Sequence, residues 1–510
     1  SSSWTYHYSC NYNSNGDFSN SIMSKIEVDA IDKQSGSTLT LGGSGTAVTL
    51  ASGATQSGFG RTGTVDWVTT PKTATFTAES GKGYFCNTTA GAFEVDLPAG
   101  SAGAIVSIQD YNNTFDSNNL TIDPNGSEKI NGGDAGMELT LSTEGQGLTL
   151  VYVDGTVGWR SVHSDDFSEV PQTPTYITAT GGNTITTSPC GNYKSHIFTG
   201  PGTFTVCSVG NVSGSNSVDY LVVAGGGGTP GGSYNNTPAG GSGAGGFRAS
   251  AANFTMGCQP AKPLVCGVSA VTVSATGYPV VVGAGGAGGS QGPGNAGAGG
   301  SPSSALSIAS AGGGRGGHTP SGPAGDGGSG GGAMQSDPGG SGNTPPVSPP
   351  QGNDGGVGVT HPTNPSPGND NTGEGGGGGA IQTGRNGGSV NNPPNGGGDG
   401  GDGAGFAANT WGATGEVVSC VQYFAGGGAG GVYTPNPSPN PGGVGGLGGG
   451  GNGGSPANPG PFGGGIQGQA GTANTGGGAG SFGGAPSPST NFSGNAGGSG
   501  IVIIKYKFQN

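Results

Sequence analysis

The sequence predicts an all-β protein in which N-terminal β-prism-like rungs and a β-sandwich-like module precede a glycine-rich domain of packed polyglycine II helices with flanking β-strands. Glycine supplies 122 of the 510 residues, and most of these glycines lie between residues 225 and 500. Much of the remaining chain consists of short segments that alternate apolar and polar residues between Gly, Pro and Asn turns, as β-strands do. Almost no α-helix is expected, because Gly and Pro are the two poorest helix formers.

The glycine-rich stretch has two explanations, which are disorder and a packed stack of helices. Disorder would follow because a chain rich in Gly and Pro has few large side chains whose burial offsets the ordering entropy. A stack would form because a backbone without side chains approaches its neighbours closely and hydrogen-bonds laterally, as glycine allows in collagen. We favour the stack, since apolar segments at residues 220–224 and 501–506 bound the stretch. These two segments are expected to be adjacent strands that close the domain.

Glycines at the centres of the runs are predicted to be structural, because adjacent helices leave no room for a Cβ atom. The representatives of five runs are Gly226, Gly313, Gly377, Gly427 and Gly477. Alanine should be tolerated badly at such a position and well at a loop glycine such as Gly352. The large side chains Phe406, Phe424 and Phe482 are expected to cover the flanks of the helices or to face a neighbouring chain.

The chain divides into six predicted parts. These are an N-terminal arm or extension at residues 1–22, a β-rung attachment and trimerisation segment at 23–70, a β-sandwich-like module at 71–163, a linker at 164–175, a β segment at 176–224, and a glycine-rich domain at 225–510 closed by the C-terminal strand 501–506. Two alternating rungs near residues 38–41 and 47–51 are too few to bury an apolar face within one chain, which indicates a homotrimer. Inside the glycine-rich domain, residues 264–266 and 271–274 are predicted to be a pair of strands.

Composition and spacing argue against several kinds of chemistry. A net charge of −14 disfavours nucleic acid as a partner, since its phosphates are also negative. The seven cysteines and five histidines show no metal-ligand spacing, so no metal and no cofactor are expected. A polysaccharide hydrolase would need a pair of carboxylates. The candidate pairs at residues 165–166 and at Asp399 with Asp402 lie in a linker and a glycine-rich turn, so the protein is predicted not to be an enzyme.

Several Pro- and Asn-rich loops between the glycine runs carry the candidate binding residues. Pro lowers the entropy that a loop loses on binding, and Tyr, Trp, His and Asn provide stacking and hydrogen bonds. The candidates are Tyr234, Asn235, Asn236, His361, Asn364, Trp411, Tyr433 and Asn436. The alternative is that these loops are solvated turns that only connect the helices. A longer Pro-rich loop at residues 343–353 belongs to the same group.

Three sets of segments together resemble the tail-fibre proteins of tailed bacteriophages, notably those of phages that infect marine bacteria and cyanobacteria. The sets are residues 23–28, 37–41 and 57–63; residues 83–85, 93–98, 104–108, 118–122 and 150–153; and the sequences FTGPGTFTV at 198–206, LVVAGGG at 221–227 and GIVIIKY at 500–506. The glycine-rich part also resembles tail-fibre adhesins that end in a sandwich of polyglycine helices.

The resemblance implies a virion fibre that recognises the host outside the cell. Its glycine-rich distal domain would bind a host-surface receptor, either a polysaccharide or an outer-membrane protein, and its N-terminal end would contact other virion tail proteins. The alternative is a structural virion or extracellular filament protein without a receptor. An adhesin should gather its loops at one exposed tip, whereas a filament should distribute them along its length.

Overall fold

The structure is a computed structural model and confirms the all-β class. It describes residues 65–162, 171–211, 213–233, 238–254, 259–292, 294–318, 322–361, 371–388, 396–433, 441–455, 467–484 and 491–510. Within these residues the secondary structure is 28 strands and one four-residue helix. None of the described helical structure is long and apolar enough to cross a membrane. The predicted arm and the rungs lie in residues 1–64, outside the described residues, so trimerisation stays a prediction.

The first described unit, which we call the β module, comprises residues 65–162. Its strands are β1 (Asp66–Lys72), β2 (Phe76–Thr77), β3 (Lys82–Cys86), β4 (Phe93–Asp96), β5 (Ile105–Asp110), β6 (Leu120–Asp123), β7 (Leu139–Leu141), β8 (Gly147–Asp154) and β9 (Gly158–Ser161). They form two sheets, with strand orders β1-β3-β5-β8-β9 and β2-β4-β6-β7. A single apolar core lies between the sheets and includes Trp159, Phe115 and Leu150. Because β1 belongs to this unit, the module begins before residue 71.

The strand directions in the β module differ from the antiparallel arrangement that a jelly-roll-like sandwich would have. Successive strands from β1 to β6 alternate between the two sheets, and the pairs β1–β3, β3–β5, β2–β4 and β4–β6 are all parallel. The chain therefore winds as the coils of a solenoid, and antiparallel β7, β8 and β9 complete the two sheets. Apolar alternation marks which face of a strand is buried but not the direction of its partner, so the sequence could not distinguish the two arrangements.

The second unit contains the remaining elements. These are β10 (Thr178–Thr180), β11 (Thr184–Thr187), β12 (Tyr193–Phe198), β13 (Gly202–Ser208), β14 (Ser217–Val223), β15 (Gly232–Ser233), β16 (Phe247–Ala249), α1 (Lys262–Val265), β17 (Val271–Thr272), β18 (Gly277–Val280), β19 (Ser303–Ala305), β20 (Ile308–Ser310), β21 (Val359–His361), β22 (Asn371–Gly373), β23 (Ala404–Ala407), β24 (Glu416–Val418), β25 (Val421–Phe424), β26 (Val432–Tyr433), β27 (Asn491–Phe492) and β28 (Ile501–Lys507). The helix α1 replaces the strand predicted at 264–266. Pro263 in its first turn favours a helix start, and a lone apolar run does not distinguish the two structures.

A six-stranded sheet closes one end of this unit, as the two apolar boundary segments predicted. Its main order is β11-β12-β28-β14-β16, with β17 also paired to β14. Strand β14 leads into the glycine-rich stretch, and β28 follows the end of that stretch. The two strands pair antiparallel, for example at Val223 opposite Ile501. On its other side β28 pairs with β12. The C-terminal strand is therefore interior to the sheet, and its residues from Ile501 to Tyr506 are buried.

Between these strands the glycine-rich chain runs back and forth as extended rods with three residues per turn. The rod of residues 239–246, which we call the central rod, shows the period. The N–H groups of Gly240 and Gly243 donate to carbonyl oxygens of the 311–317 rod at 3.0 and 2.8 Å. Those of Gly241 and Ala244 donate to the 374–380 rod, and those of Ser242 and Gly245 donate to the 476–480 rod. Because each neighbour is met at every third residue, the rod is a polyglycine II helix.

The central rod is surrounded by six hydrogen-bonded neighbours. Besides the three rods that receive its N–H groups, its carbonyl oxygens accept hydrogen bonds from the rods 224–231, 327–333 and 425–432. The 425–432 rod is itself bonded to six others, including the 443–446 and 397–403 rods. The rods therefore form a lattice in which backbone groups bond in every lateral direction. The predicted stack is confirmed, and disorder is wrong for the described rods.

Acidic side chains bond backbone N–H groups on the outside of this lattice. Asp402 Oδ1 accepts from Leu447 N at 3.0 Å, Asp399 Oδ1 accepts from Val444 N at 2.8 Å, and Asp354 Oδ1 accepts from Gly342 N at 2.7 Å. A carboxylate there serves as the acceptor that a further rod would otherwise supply.

Candidate functional site

The rods have two distinct ends, which carry different structures. We call the end at the six-stranded sheet the base, and the opposite end the tip. The first rod leaves β14 at the base and reaches β15 at the tip, and the last rod returns from β27 at the tip to β28 at the base. A rod of eight residues spans about 25 Å at a rise of about 3.1 Å per residue. Chain connections at the tip are therefore well separated from those at the base.

Short strand pairs join neighbouring connections at the tip. Strand β22 lies between β21 and β26, and Tyr433 of β26 also forms a bridge to Gly484. Strand β15 pairs with β27, at Gly232 opposite Phe492. We call these pairs together the tip ladder. Strand pairing fixes the spacing of the chain where each connection begins and ends. The residues that flank the connections are therefore held in register.

Two of the eight predicted binding residues, His361 and Tyr433, lie in strands of the tip ladder, and described residues that flank five others in the sequence belong to it as well. The connections that start or end in it are residues 234–237, 362–370, 434–440 and 485–490. Tyr433 is half-buried in β26, and the backbone of His361 ends β21, opposite Asn371. The other predicted residues here, Tyr234, Asn235, Asn236, Asn364 and Asn436, lie outside the described residues.

The prediction that Trp411 is a binding residue in an exposed loop is wrong, because Trp411 lies at the base and its side chain is buried. The indole packs edge-on against Phe406 and Phe254, with ring centroids 5.6 Å apart in both cases, and the residue has no exposed surface. The Gln422 side chain fixes its loop, since Oε1 accepts from Trp411 N at 3.3 Å and Nε2 donates to Gly412 O at 2.7 Å. The local Asn-Thr-Trp-Gly sequence resembles an exposed loop, and only the facing aromatic residues reveal that it closes a core.

The Pro-rich loop at residues 343–353 also lies at the base rather than at the tip. Gln351 O accepts a hydrogen bond from the N–H of Phe247, the first residue of β16, at 2.8 Å. Gly352 beside it is buried, and a Cβ there would overlap Gly328 O and Ser329 Oγ. The expectation that Gly352 tolerates alanine is therefore wrong. A glycine run is not needed for a glycine to be buried, since a neighbouring rod can face a loop as closely as it faces another rod.

The five glycines chosen from the runs all lie in rods of the lattice. A Cβ at Gly377 would overlap the carbonyl oxygen of Ser242, and a Cβ at Gly427 would overlap that of Gly377. The same kind of overlap with a carbonyl oxygen of an adjacent rod occurs for Gly226, Gly313 and Gly477. The three phenylalanines predicted to lie on the flanks, Phe406, Phe424 and Phe482, are instead almost fully buried within the chain.

A buried lysine and a buried histidine lie in the sheet at the base. Lys505 of β28 places its ammonium 4.0 Å from the ring centre of Phe254, and Nζ donates to Thr410 O at 2.9 Å. Burial lowers the pKa of Lys505 to about 8, and Asp219 opposes that shift. His196 lies between Gly181 O at 2.7 Å and the Tyr506 hydroxyl at 3.1 Å. Burial also lowers the pKa of His196. Both side chains are therefore buried and hydrogen-bonded to other residues at the base.

Carboxylates in the described chain have mainly structural partners. Asp399 pairs with Arg385 at 3.3 Å in addition to its bond from the neighbouring rod, whereas residues 165–166 lie outside the described residues. In the β module, Glu94, Asp96 and Asp123 bring carboxylate oxygens within 4.8 Å of one another. Burial raises the pKa of Glu94, and the two neighbouring carboxylates raise it further. An acidic group of this kind could attract a cation, but it is half-buried and no further feature of the site points to an ion.

The sequence reasoning missed the residues that build the tip ladder. These include Thr372, Gly484 and Asn491, which contribute backbone rather than side chains. A weak signal exists in the β-branched and aromatic pairs at residues 359–360 and 432–433, which flank the Pro-rich connections.

A model of a glycine-rich domain family matches residues 199–507, which is more than half of the chain. The match begins just after β12 and ends with β28, so it covers the rod lattice and four of the six strands of the sheet that closes it, β14, β16, β17 and β28. No curated protein sequence matches the chain significantly.

Proposed function

The chain belongs to the glycine-rich domain family, and from this premise we propose that it is a phage tail-fibre protein that binds a host-surface receptor through the connections at its tip. The observation that supports this most is the tip ladder, because it holds at one end of the lattice the described residues that flank four Pro- or Asn-rich connections. An adhesin requires such a cluster, whereas a filament without a receptor does not.

The composition of the tip connections favours an uncharged receptor surface. The connections 234–237, 362–370, 434–440 and 485–490 contain one charged residue, Asp370, in a chain of net charge −14. Desolvating charged groups at an interface is costly unless they are paired, so a neutral surface suits a neutral polar partner. A neutral polysaccharide or an uncharged loop of an outer-membrane protein fits this chemistry, and the prolines limit the entropy lost on binding.

We propose that the part of the chain before the glycine-rich domain faces the virion and that the protein is a homotrimer. The β module precedes the base of the glycine-rich domain in the sequence. Pro171, after the module, accepts a hydrogen bond at its carbonyl oxygen from Asp134 N of the module at 2.9 Å. The trimerisation segment would precede the module. Light scattering on the full chain should give three times the chain mass, and a stable monomer would contradict this part of the proposal.

Receptor binding can be tested with two matched loop exchanges in the full chain. Residues 434–440 at the tip and residues 344–350 at the base are Pro-rich segments of equal length. Each is replaced by a Gly-Ser segment of the same length, and adsorption of the labelled protein to host cells is measured. We expect the tip exchange to weaken adsorption by about tenfold or more, as expected when several contacts are lost, and the base exchange to leave it unchanged. Equal adsorption of the two variants would contradict the proposal.

Binding without catalysis is part of the same proposal. Mixing the full chain with host polysaccharide should not release reducing ends over time, although the polysaccharide should compete with cells for the protein. Release of reducing ends would replace adhesion by hydrolysis as the primary activity.

A further inference from the structure

A small cavity lies at the base, between the β11–β12 hairpin and the loop that follows β23. Its volume is about 230 Å³, and its walls include Thr186, Thr187, Pro189, Ser195, Asn409 and Ala413. Pockets for drug-sized ligands usually have about 300–1,000 Å³. A cavity of this size therefore suits one ring-sized ligand rather than a chain of several units.

Ser195 lines this cavity, and its hydroxyl has no hydrogen-bond partner among the described residues although it is not sealed from solvent. It is 4% exposed and lies in β12, directly opposite Thr186 of β11 and Lys505 of β28. Side chains of directly paired residues share one face of the sheet, so Thr186 and Ser195 present their hydroxyls to the same space. A hydroxyl that opens into the cavity can bond to a ligand hydroxyl there, in place of solvent.

The opposite wall is a loop held in one conformation. Asn409 adopts a left-handed backbone conformation with φ 64°, and its carbonyl oxygen accepts from Gly412 N at 3.3 Å. The buried Trp411 and the Gln422 side chain fix the same loop from behind. The Asn409 side chain is exposed and has no hydrogen-bond partner in the described part of the chain. A rigid loop therefore presents an unpaired amide across from the hydroxyls of Thr186 and Ser195.

The lining determines the chemical class of a ligand. None of the described residues that line the cavity is ionisable. Hydroxyl and amide groups provide donors and acceptors, whereas the Pro189 ring and the Ala413 methyl provide apolar surface. A pyranose ring has the same combination of hydroxyls and apolar C–H faces. An anionic sugar is disfavoured, since the nearest positive group, the Lys505 ammonium, is already bonded to Thr410 O and covered by the Phe254 ring, and the chain has a net charge of −14.

We propose that this cavity is a binding site for one neutral sugar ring, with Ser195, Thr186 and Asn409 as its hydrogen-bonding groups. The site lies at the base, whereas the proposed receptor contacts lie at the tip. It does not rest on the proposed function, and either site can fail without the other.

The test measures saturation transfer by NMR from the full chain to methyl glycosides of glucose, galactose, mannose and N-acetylglucosamine, with methyl glucuronide as the charged comparison. Typical ligand efficiencies for a ring-sized ligand give a dissociation constant on the order of 1 mM. The 434–440 exchange should keep the signal, which separates this cavity from any sugar bound at the tip.

Two pairs of variants locate the signal in the cavity. Thr187→Trp should fill the cavity and abolish binding, whereas Thr184→Trp, at an exposed position of the same strand outside the cavity, should not. Ser195→Ala should weaken binding by about five- to tenfold, as loss of one hydrogen bond does. Asn409→Gly should act similarly, and it keeps the left-handed backbone accessible. Thermal melts of each variant confirm that it is folded.

The proposal is overturned by any of three results. These are no saturation transfer to any neutral glycoside, transfer to the glucuronide alone, or undiminished transfer to a folded Thr187→Trp protein.

Discussion

The β module and the glycine-rich domain are stabilised by different parts of their residues. In the β module, apolar side chains such as Trp159, Leu150 and Ile122 fill the space between two sheets, and the strands are hydrogen-bonded to their neighbours within each sheet. In the glycine-rich domain, the backbone of one rod bonds to as many as six neighbours, and side chains are almost absent between them. Apolar clusters in that domain lie at the base, around the six-stranded sheet.

This difference shows that a chain can form a dense interior without large side chains. A hydrophobic core gains stability from apolar area removed from water, so it tolerates the loss of side-chain volume poorly. A rod lattice instead depends on close approach of the backbones, so it should tolerate added side-chain volume poorly. The two regions are therefore expected to respond in opposite ways to the same kinds of change.

The largest effect is expected from deleting residues 501–510, which removes β28 from the interior of the six-stranded sheet. Six buried side chains would be lost, of which the four from Ile501 to Ile504 are aliphatic. At about 1.5–3 kcal/mol each, their burial is comparable with the whole stability of a typical domain. Limited proteolysis should then digest the glycine-rich domain and leave the β module of residues 65–162 intact. Removing only the exposed Gln509 and Asn510 is the control, and equal resistance of both truncated proteins would contradict the central role of β28.

The next effect tests whether added volume disrupts the lattice. Gly377→Ala places a Cβ against the carbonyl oxygen of Ser242 in the central rod, where backbone surrounds it. We expect a loss of more than about 3 kcal/mol in the unfolding free energy of the domain, at the upper end of the usual cost of overpacking. Gly299→Ala is the matched control, because Gly299 is an exposed rod glycine whose Cβ would meet nothing closer than 3.4 Å. Denaturant melts that give equal losses would exclude a lattice held by close backbone contact.

The complementary change removes volume from the β module. Leu150→Ala in β8 leaves a cavity in a core where Leu150 is 1% exposed. We expect a loss of about 3 kcal/mol, which is typical of Leu→Ala substitutions in well-packed cores. Thr149→Ala, the adjacent residue on the outer face of β8, should cost much less. The denaturant dependence of hydrogen exchange at the amides of residues 65–162 can measure both, and a Leu150→Ala protein as stable as the parent would mean that the module does not depend on this core.

The smallest effect is a pH dependence of opposite sign in the two regions. The folded-state pKa of Lys505 is lowered from 10.5 to about 8, so between pH 8 and 10 the unfolded chain binds more protons there and the glycine-rich domain gains stability with rising pH. Above pH 10 the buried Tyr506, whose pKa is raised from 10.0 to about 12, opposes this gain. Burial raises the pKa of Cys86 from 9.0 to about 12, so the β module loses stability as the pH rises above 9. Each slope should approach about 1 kcal/mol per pH unit.

Hydrogen exchange of the full chain, measured at several pH values with correction for the intrinsic exchange rate, separates the two regions. Lys505→Met should abolish the gain in the glycine-rich domain, and Cys86→Ser should abolish the loss in the β module. Identical pH slopes in the parent and the Lys505→Met protein would contradict the assignment to this buried ammonium.

Much of the fold was predictable because it depends on local composition and period. Glycine runs predicted rods, the apolar segments at 220–224 and 501–506 predicted paired strands, and short alternating segments predicted the sheets of the β module. The site was predictable only in part. Proline and asparagine indicated the connections at Tyr433 and His361, but Trp411 met the same criteria although it closes a core at the base.

The sequence by itself determined that the described chain is all-β, that its glycine runs form threefold rods, and that the apolar segments on either side of the glycine-rich stretch are strands. These properties follow from the backbone freedom of glycine and from the two-residue period of strands, which each segment carries alone. Only the tertiary structure decided which rods are neighbours, which loops share the tip, and that the first strands of the β module run parallel. The physical reason is that one glycine N–H is chemically the same as any other. The partner of Gly241 is the carbonyl oxygen of Gly375 because the whole lattice places it there.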